Sequence, residues 1–124
     1  MKYTFTIAGK LSNLNDYTKA CRTNRFLGAK MKDENEKIVL FYIAEQLKDV
    51  RIEKKVFISY IWYEANMKRD LDNIAFAKKF IQDALVQSEV LKNDGWKNIA
   101  GFKDSFYIDK ENPRIVVEIE ELEE

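Results

Sequence analysis

Three aspartates in the second half of the sequence have the residue type and spacing of a carboxylate metal site. Asp70 and Asp72 are two residues apart, which on extended backbone directs both side chains to the same face. Asp94 follows the helix predicted after this pair, so it joins them only if the chain folds back along that helix. Three converging carboxylates repel one another unless a divalent cation is present. The pattern therefore predicts a site for Mg²⁺, with Mn²⁺ as a substitute, that could hydrolyse a phosphodiester.

A lysine on the predicted helix is placed to assist this chemistry. Lys79 lies seven residues after Asp72, which is two helical turns along the same face. Its ammonium could neutralise charge on a phosphate. Each residue also has an ordinary structural interpretation. An aspartate before a helix can be an N-cap, Asn-Asp-Gly at 93–95 is a common turn, and Lys79 can pair with Asp83.

The composition excludes several other kinds of catalytic site. The 124 residues include no histidine, one cysteine and four scattered glycines. Histidine-dependent triads, cysteine-rich zinc sites and glycine-rich phosphate loops are therefore excluded within one chain. The length fits a single domain over 1–124, and no apolar run is long enough to span a bilayer. We expect a cytoplasmic protein of a bacterial or phage-infected cell.

A net charge of zero conceals a basic segment and an acidic one. Between positions 10 and 32 the only acid is Asp16, and nearly every residue from Glu118 onward is acidic. The bases of this segment are Lys10, Lys19, Arg22, Arg25, Lys30 and Lys32. They are candidates for phosphate contacts, although a solvated surface of mixed sign gives the same pattern.

The elements that must position these residues follow from hydrophobic periodicity. Residues 8–32 lack a sustained period and contain many turn residues, so we expect a long loop with at most a helical turn near Tyr17–Arg22. Helices are predicted over Asp33–Lys48, with Asp33 as N-cap, and over Asp72–Ser88. Strands are predicted over Met1–Ile7, Val56–Ala65, Phe102–Asp109 and Arg114–Glu121. The order β-α-β-α-β-β predicts an α+β domain with two main helices on a mixed sheet.

The stretch from Arg69 to Trp96 resembles the RusA family of Holliday-junction resolvases. The matching segments are Arg-Asp-Leu-Asp-Asn-Ile at 69–74, Asp-Ala-Leu at 83–85 and Val-Leu-Lys-Asn-Asp-Gly-Trp at 90–96. The resemblance implies a homodimeric, Mg²⁺-dependent endonuclease, often carried by phages and prophages, that nicks four-way DNA junctions symmetrically. It places the catalytic aspartates at 70, 72 and 94.

The resemblance also implies roles for several basic residues. The family's helical lysine falls on Lys79 when counted back from 83–85, whereas counting forward from Asp70 leaves Lys78 open. Arg69 matches a basic residue that could contact a phosphate. The segment from 9 to 32 resembles the family's basic loop, so Lys10, Lys19, Arg22, Arg25 and Lys30 are expected to hold branched DNA. Tyr17 or Phe26 could stack at an opened crossover, but we expect both to pack in the protein.

Two departures from the family pattern keep alternatives open. Asn93 stands where a second acid is common, and Glu89 stands where a glycine often ends the helix. A left-handed cap is strained for glutamate, so we expect this turn to be shaped differently. The alternatives are a protein that binds junctions or other branched DNA without cleaving them, and a dimeric interaction protein whose aspartates are only caps.

Overall fold

A mixed four-stranded sheet carries a layer of helices on one face. The computed structural model describes residues 1–123. Its elements are β1 (Lys2–Ala8), α1 (Leu14–Thr23), α2 (Arg25–Gln46), β2 (Val56–Glu64), α3 (Leu71–Ala75), α4 (Lys78–Gln87), β3 (Ile99–Ile108) and β4 (Arg114–Glu121). The predicted α+β class and mixed sheet are confirmed. The predicted order is matched roughly, because an additional helix, α1, precedes α2 and the predicted helix over 72–88 is divided into α3 and α4.

The sheet has the strand order β1-β4-β2-β3, with β2 inside it. β2 runs antiparallel to β4 and parallel to β3, as expected for two strands joined through helices. Although β3 and β4 are consecutive in the chain, they do not pair with each other, because β2 lies between them. This arrangement places the ends of β2 and β3, and the turns that follow them, at one edge of the molecule.

The two faces of β2 have different surroundings. Its alternate residues from Val56 to Glu64 are buried, and they include Tyr60 and Trp62, which are at most 1% exposed. Gln82 of α4 donates a 3.0 Å hydrogen bond to the Tyr60 hydroxyl, so the helices cover this face. The residues between them are only half-buried, so an apolar second face remains partly open.

The expectation of a long loop over residues 8–32 is wrong, since this region is mostly helical. The asparagines that suggested turns are helix caps. The Asn13 side chain accepts a 2.8 Å hydrogen bond from the Asp16 amide, and Asn24 accepts one of 2.9 Å from the Leu27 amide. The corner between α1 and α2 is tight, because a Cβ added at Gly28 would lie 2.6 Å from the Cys21 sulfur.

The first long helix therefore begins eight residues earlier than predicted. Asp33 is not its N-cap; it lies within α2 and pairs with Lys37 at 2.9 Å. The buried Asn35 in the same helix accepts a 2.9 Å hydrogen bond from the Ser12 amide and donates one of 3.0 Å to the Ser12 hydroxyl. This contact fixes the segment that leads from β1 into α1.

The predicted helix over 72–88 is divided into α3 and α4 at Phe76 and Ala77. The turn after α4 keeps the left-handed conformation that we expected glutamate to prevent, with a φ of 67° at Glu89. The chain then returns to the core through the buried Val90 and Leu91, whose backbone pairs with Ile52. Within residues 1–123, no helix is both long enough and apolar enough to cross a membrane.

Candidate active site

Asp70 and Asp72 lie where β2 gives way to the helices. Asp70 occupies the N-cap position of α3, but its side chain makes no capping hydrogen bond, and Asp72 lies in the first helical turn. Both residues are exposed, and neither carboxylate has a lysine or arginine of residues 1–123 within 4.0 Å. The interpretation of Asp70 as a hydrogen-bonding cap is therefore not supported.

A cleft of about 470 Å³ lies beside Asp70. Its walls come from the turn after β2, from α3 and from the end of β3; they include Asn66, Arg69, Ile74, Phe106 and Tyr107. Asp70 thus borders an open, mostly apolar cleft, in which a carboxylate has no internal cation to offset its charge.

Asp94 lies in the loop between α4 and β3, where it is partly exposed. The negative charges of Asp104 and Asp94 both act on Tyr60, whose pKa is raised mainly by burial. The Tyr60 phenol therefore stays protonated at neutral pH. The amide of Asp94 is held by the Asn93 side chain at 2.8 Å, and the loop has no ion pair to the Asp94 carboxylate within residues 1–123.

An ion pair that the sequence patterns did not reveal joins α4 to β3. Lys78, the first residue of α4, pairs with Asp104 of β3. The other oxygen of Asp104 accepts a 2.8 Å hydrogen bond from the Trp62 indole. The Lys78 ammonium also lies 4.4 Å from the centre of the Phe102 ring. Nothing in the sequence links positions 78 and 104, because only the parallel pairing of β2 and β3 brings them together.

The two neighbouring lysines have different environments. The Lys78 side chain is 18% exposed and lies over the sheet with Asp104, whereas the Lys79 side chain is 60% exposed and pairs with Asp83 at 3.2 Å. The Lys79–Asp83 contact is the surface pair considered from the sequence. The break between α3 and α4 turns Lys78 toward the sheet, so Lys78 is the better candidate for the assisting lysine.

The candidate residues come from elements around β2 and β3: Lys78 from α4, Asp104 from β3, Asp70 and Asp72 from the start of α3, and Asp94 from the loop before β3. We define the active-site stripe as Asp94, Lys78, Asp104, Asp70 and Asp72. Asp104 and Phe106 are two residues apart on one strand face, about 7 Å, and Phe106 borders the cleft with Asp70. Within residues 1–123, however, no three carboxylates stand close enough together to hold one metal ion. Within the described chain, the three aspartates are therefore not united in one ligand shell.

Arg69 has a structural role that the sequence did not indicate. Its guanidinium donates two hydrogen bonds to the buried Glu64, at 2.9 and 2.8 Å, and a third to the Leu11 carbonyl at 3.0 Å. These contacts tie the turn before Asp70 to the end of β2 and to the segment after β1. These contacts use three of the five guanidinium N–H donors, so a phosphate contact by Arg69 need not break any of them.

The basic residues of the N-terminal segment remain largely available. Lys10, Lys19, Arg22, Arg25 and Lys30 are exposed and have no carboxylate within 4.0 Å among residues 1–123. Lys32 differs, because it pairs with Glu36 at 2.8 Å and with Asp83 at 3.5 Å. Lys10 lies beside a second cleft, which also contacts Arg69 and Lys68. The other four unpaired bases, Lys19, Arg22, Arg25 and Lys30, lie around the corner between α1 and α2.

The two aromatic residues of this segment have opposite environments. Tyr17 packs against Phe76 and Phe80, with ring centres 5.4 and 5.9 Å apart, as expected for a packing role. Phe26 is 87% exposed at the α1–α2 corner, so the expectation that it packs in the protein is wrong. An aromatic ring that projects from a basic corner is suited to stacking on a nucleic-acid base.

A protein-family model extends the sequence resemblance over nearly the whole chain. The model for endodeoxyribonuclease RusA matches residues 9–120. The chain belongs to the RusA endodeoxyribonuclease family. It is therefore a hydrolase acting on DNA, in a family of Holliday-junction resolvases that bind branched DNA and act in recombination. No curated protein sequence gives a significant match. The RusA match spans both the α1–α2 corner and the active-site stripe, so both regions belong to the shared domain.

Proposed function

We propose that this RusA protein is a Mg²⁺-dependent endonuclease that cuts four-way DNA junctions symmetrically, with Asp70, Asp72 and Asp94 as the metal-binding acids. The observation that carries the proposal is the absence of an internal cation partner at all three carboxylates, although Glu64, Asp83, Asp104 and Asp109 all have one within the described chain. Carboxylates without an internal partner are suited to a hard external cation, and Asp70 also borders the cleft.

The donor set fits Mg²⁺ better than a softer metal, because it contains only carboxylate oxygens. When bound, Mg²⁺ supplies charge that polarises a phosphodiester and lowers the pKa of a bound water. Since the three acids are spread along the stripe, the proposal requires Asp94 to approach Asp70 and Asp72. Gly95 directly follows Asp94, and glycine allows the backbone more conformations than other residues do.

Lys78 is proposed to place a positive charge beside the scissile phosphate. Hydrolysis adds water across one P–O bond and leaves negative charge on the phosphate oxygens, which an ammonium stabilises. Lys78 is favoured over Lys79 because its Nζ lies over the sheet within the active-site stripe. Arg69 is proposed to position Asp70 through Glu64 and the Leu11 carbonyl.

The α1–α2 corner is proposed as the surface that holds the junction arms. Its unpaired bases, together with Lys10, can displace counterions from phosphates, and Phe26 can stack on a base exposed at the crossover. Replacing Phe26 with Ala should weaken four-way junction binding more than duplex binding. The matched control is Phe41→Ala, since Phe41 is 58% exposed on α2 but lies away from this corner.

The homodimer is proposed to form through the open face of the sheet. Phe57, Ile61 and Tyr63 of β2 project onto this face, where Tyr63 stacks on Tyr107 at 5.5 Å. An exposed sheet face is normally polar, so this apolar surface favours burial against a second copy. Ile61→Glu should give a monomer by light scattering, whereas Phe41→Glu on α2 should leave a dimer. The reverse result would place the interface on α2.

The direct test is incubation of the purified protein with a labelled four-way junction, with and without Mg²⁺. Paired nicks at symmetric positions are expected only with the metal. Salt-sensitive binding without incision in either Mg²⁺ or Mn²⁺ would favour the non-cleaving alternative.

A further inference from the structure

Asp104 is the one carboxylate of the active-site stripe that has partners at both of its oxygens. One oxygen accepts the 2.8 Å hydrogen bond from the Trp62 indole, and the other accepts from the Lys78 ammonium. Trp62 is 1% exposed and stacks on Tyr60 with ring centres 5.8 Å apart. The orientation of Asp104 is therefore set by a rigid, buried ring.

Lys78 is in turn held from two directions. Its ammonium forms an ion pair with Asp104. The centre of the Phe102 ring lies 4.4 Å from Nζ, where an aromatic face attracts a cation. A free lysine side chain loses rotational freedom when a ligand fixes it. A lysine that is already ordered avoids most of this loss when DNA binds.

We propose that Asp104 is a positioning residue, which holds the Lys78 ammonium in the active-site stripe and is itself oriented by Trp62. The proposal rests on the proposed function of Lys78. Asp104 acts through the lysine and contacts neither DNA nor the metal.

A double-mutant cycle tests this role through the single-turnover rate of junction cleavage. Asp104→Asn keeps an oxygen for the Trp62 indole but removes the charge that holds Lys78. We expect its rate to fall on the order of 10- to 100-fold. Lys78→Met should fall at least as far, and the double variant should be no slower than Lys78→Met alone. The matched control is Asp83→Asn in the Lys79–Asp83 pair, which should cleave within about twofold of the unmodified protein.

Three results would overturn the proposal. Losses that multiply in the double variant would show that Asp104 acts independently of Lys78. If Asp104→Asn needed a much higher Mg²⁺ concentration than the unmodified protein to reach its half-maximal rate, Asp104 would be a metal ligand. An Asp104→Asn variant that cuts at the normal rate would leave it no role.

A measurement that does not need cleavage separates this inference from the proposed function. In a ¹H–¹⁵N spectrum of lysine ammonium groups, an ordered Lys78 should give a signal that is missing from Lys78→Met and from Asp104→Asn. If the unmodified protein shows no such signal, Asp104 does not hold the lysine, whether or not junctions are cut. If the signal is present but junctions remain uncut, the positioning stands and the nuclease proposal fails.

Discussion

Two neighbouring turns use their aspartates in opposite ways. In the turn between β3 and β4, Asp109 pairs with Arg114 at 2.8 Å and accepts a 3.2 Å hydrogen bond from the Asn112 amide. In the turn before α3, Asp70 and Asp72 have no cation of residues 1–123 within 4.0 Å. Both turns follow strands that line one cleft. The first aspartate therefore stabilises a turn, whereas the other two have no internal cation partner, as the proposed metal site requires.

The largest effect that would sharpen this contrast is expected from Asp72→Asn. Because the carboxylate has no internal partner, its loss should leave the unfolding temperature and junction binding nearly unchanged. Junction cleavage in Mg²⁺ should fall by on the order of 10³-fold or more. Rates on a labelled junction, with binding measured in EDTA, check both parts. An Asp72→Asn variant that cuts normally would remove the distinction between the two turns.

The contrast explains which parts of the site the sequence could reveal. Asp70, Asp72 and Asp94 could be proposed from the sequence because their spacing and the segments around them form a local pattern. The sequence did not reveal that Lys78 pairs with Asp104 or that Arg69 pairs with Glu64. The geometry of these pairs depends on the division of the 72–88 helix and on the end of β2. A periodic pattern does not show that a helix breaks at Phe76 when its apolar positions remain suitable on both sides.

The fold was predicted well where periodicity was strong and poorly where asparagines were interpreted as turns. The bounds of β4 match the expected strand from Arg114 to Glu121, and β2 ends one residue earlier than expected. The region over 8–32 was misjudged because Asn13 and Asn24 favour caps and turns alike. Whether these asparagines cap helices or form turns depends on the packing of Tyr17 against α3 and α4. A short stretch of sequence does not show this contact.

The next largest effect is expected at the ion pair that anchors the turn before α3. Arg69→Ala leaves the buried Glu64 carboxylate without its partner, which should lower the free energy of unfolding by about 3 kcal/mol. Urea denaturation measures this loss. The matched control is Arg51→Ala, since Arg51 is exposed and bonds only to the neighbouring Val50 carbonyl. It should change stability by less than about 0.5 kcal/mol. Equal losses would mean that the Arg69 contacts do not stabilise the fold.

A smaller, pH-dependent effect is expected from the paired turn. Arg114 lowers the pKa of the Asp109 carboxyl below its ordinary value of 3.8. Because the folded pKa is depressed, the stabilisation is present above the unfolded pKa of about 4 and is lost as the pH falls through the folded value. The stability difference between the unmodified protein and Asp109→Asn should therefore shrink as the pH falls from about 5 toward 2. A constant difference would exclude the ion pair as its source.

The smallest effect is expected at the turn after α4. Glu89 has a φ of 67°, a conformation that glycine adopts without steric cost. Glu89→Gly should therefore raise the free energy of unfolding by about 0.5 to 1 kcal/mol. The loop that carries Asp94 begins just after this turn. Because Glu89 itself has no proposed role in catalysis, cleavage should be retained. A destabilised variant would show that the glutamate is not strained there.

The account depends most on whether Asp94 acts together with Asp70 and Asp72. The most direct measurement is the cleavage rate of a four-way junction over a Mg²⁺ titration, with Asp94→Asn compared with Asp49→Asn. Asp49 is exposed and, like Asp94, has no cation partner among residues 1–123, but it lies in the turn after α2. We predict that Asp94→Asn abolishes cleavage at every Mg²⁺ concentration while Asp49→Asn cuts normally. Normal cleavage by Asp94→Asn would contradict the three-aspartate site.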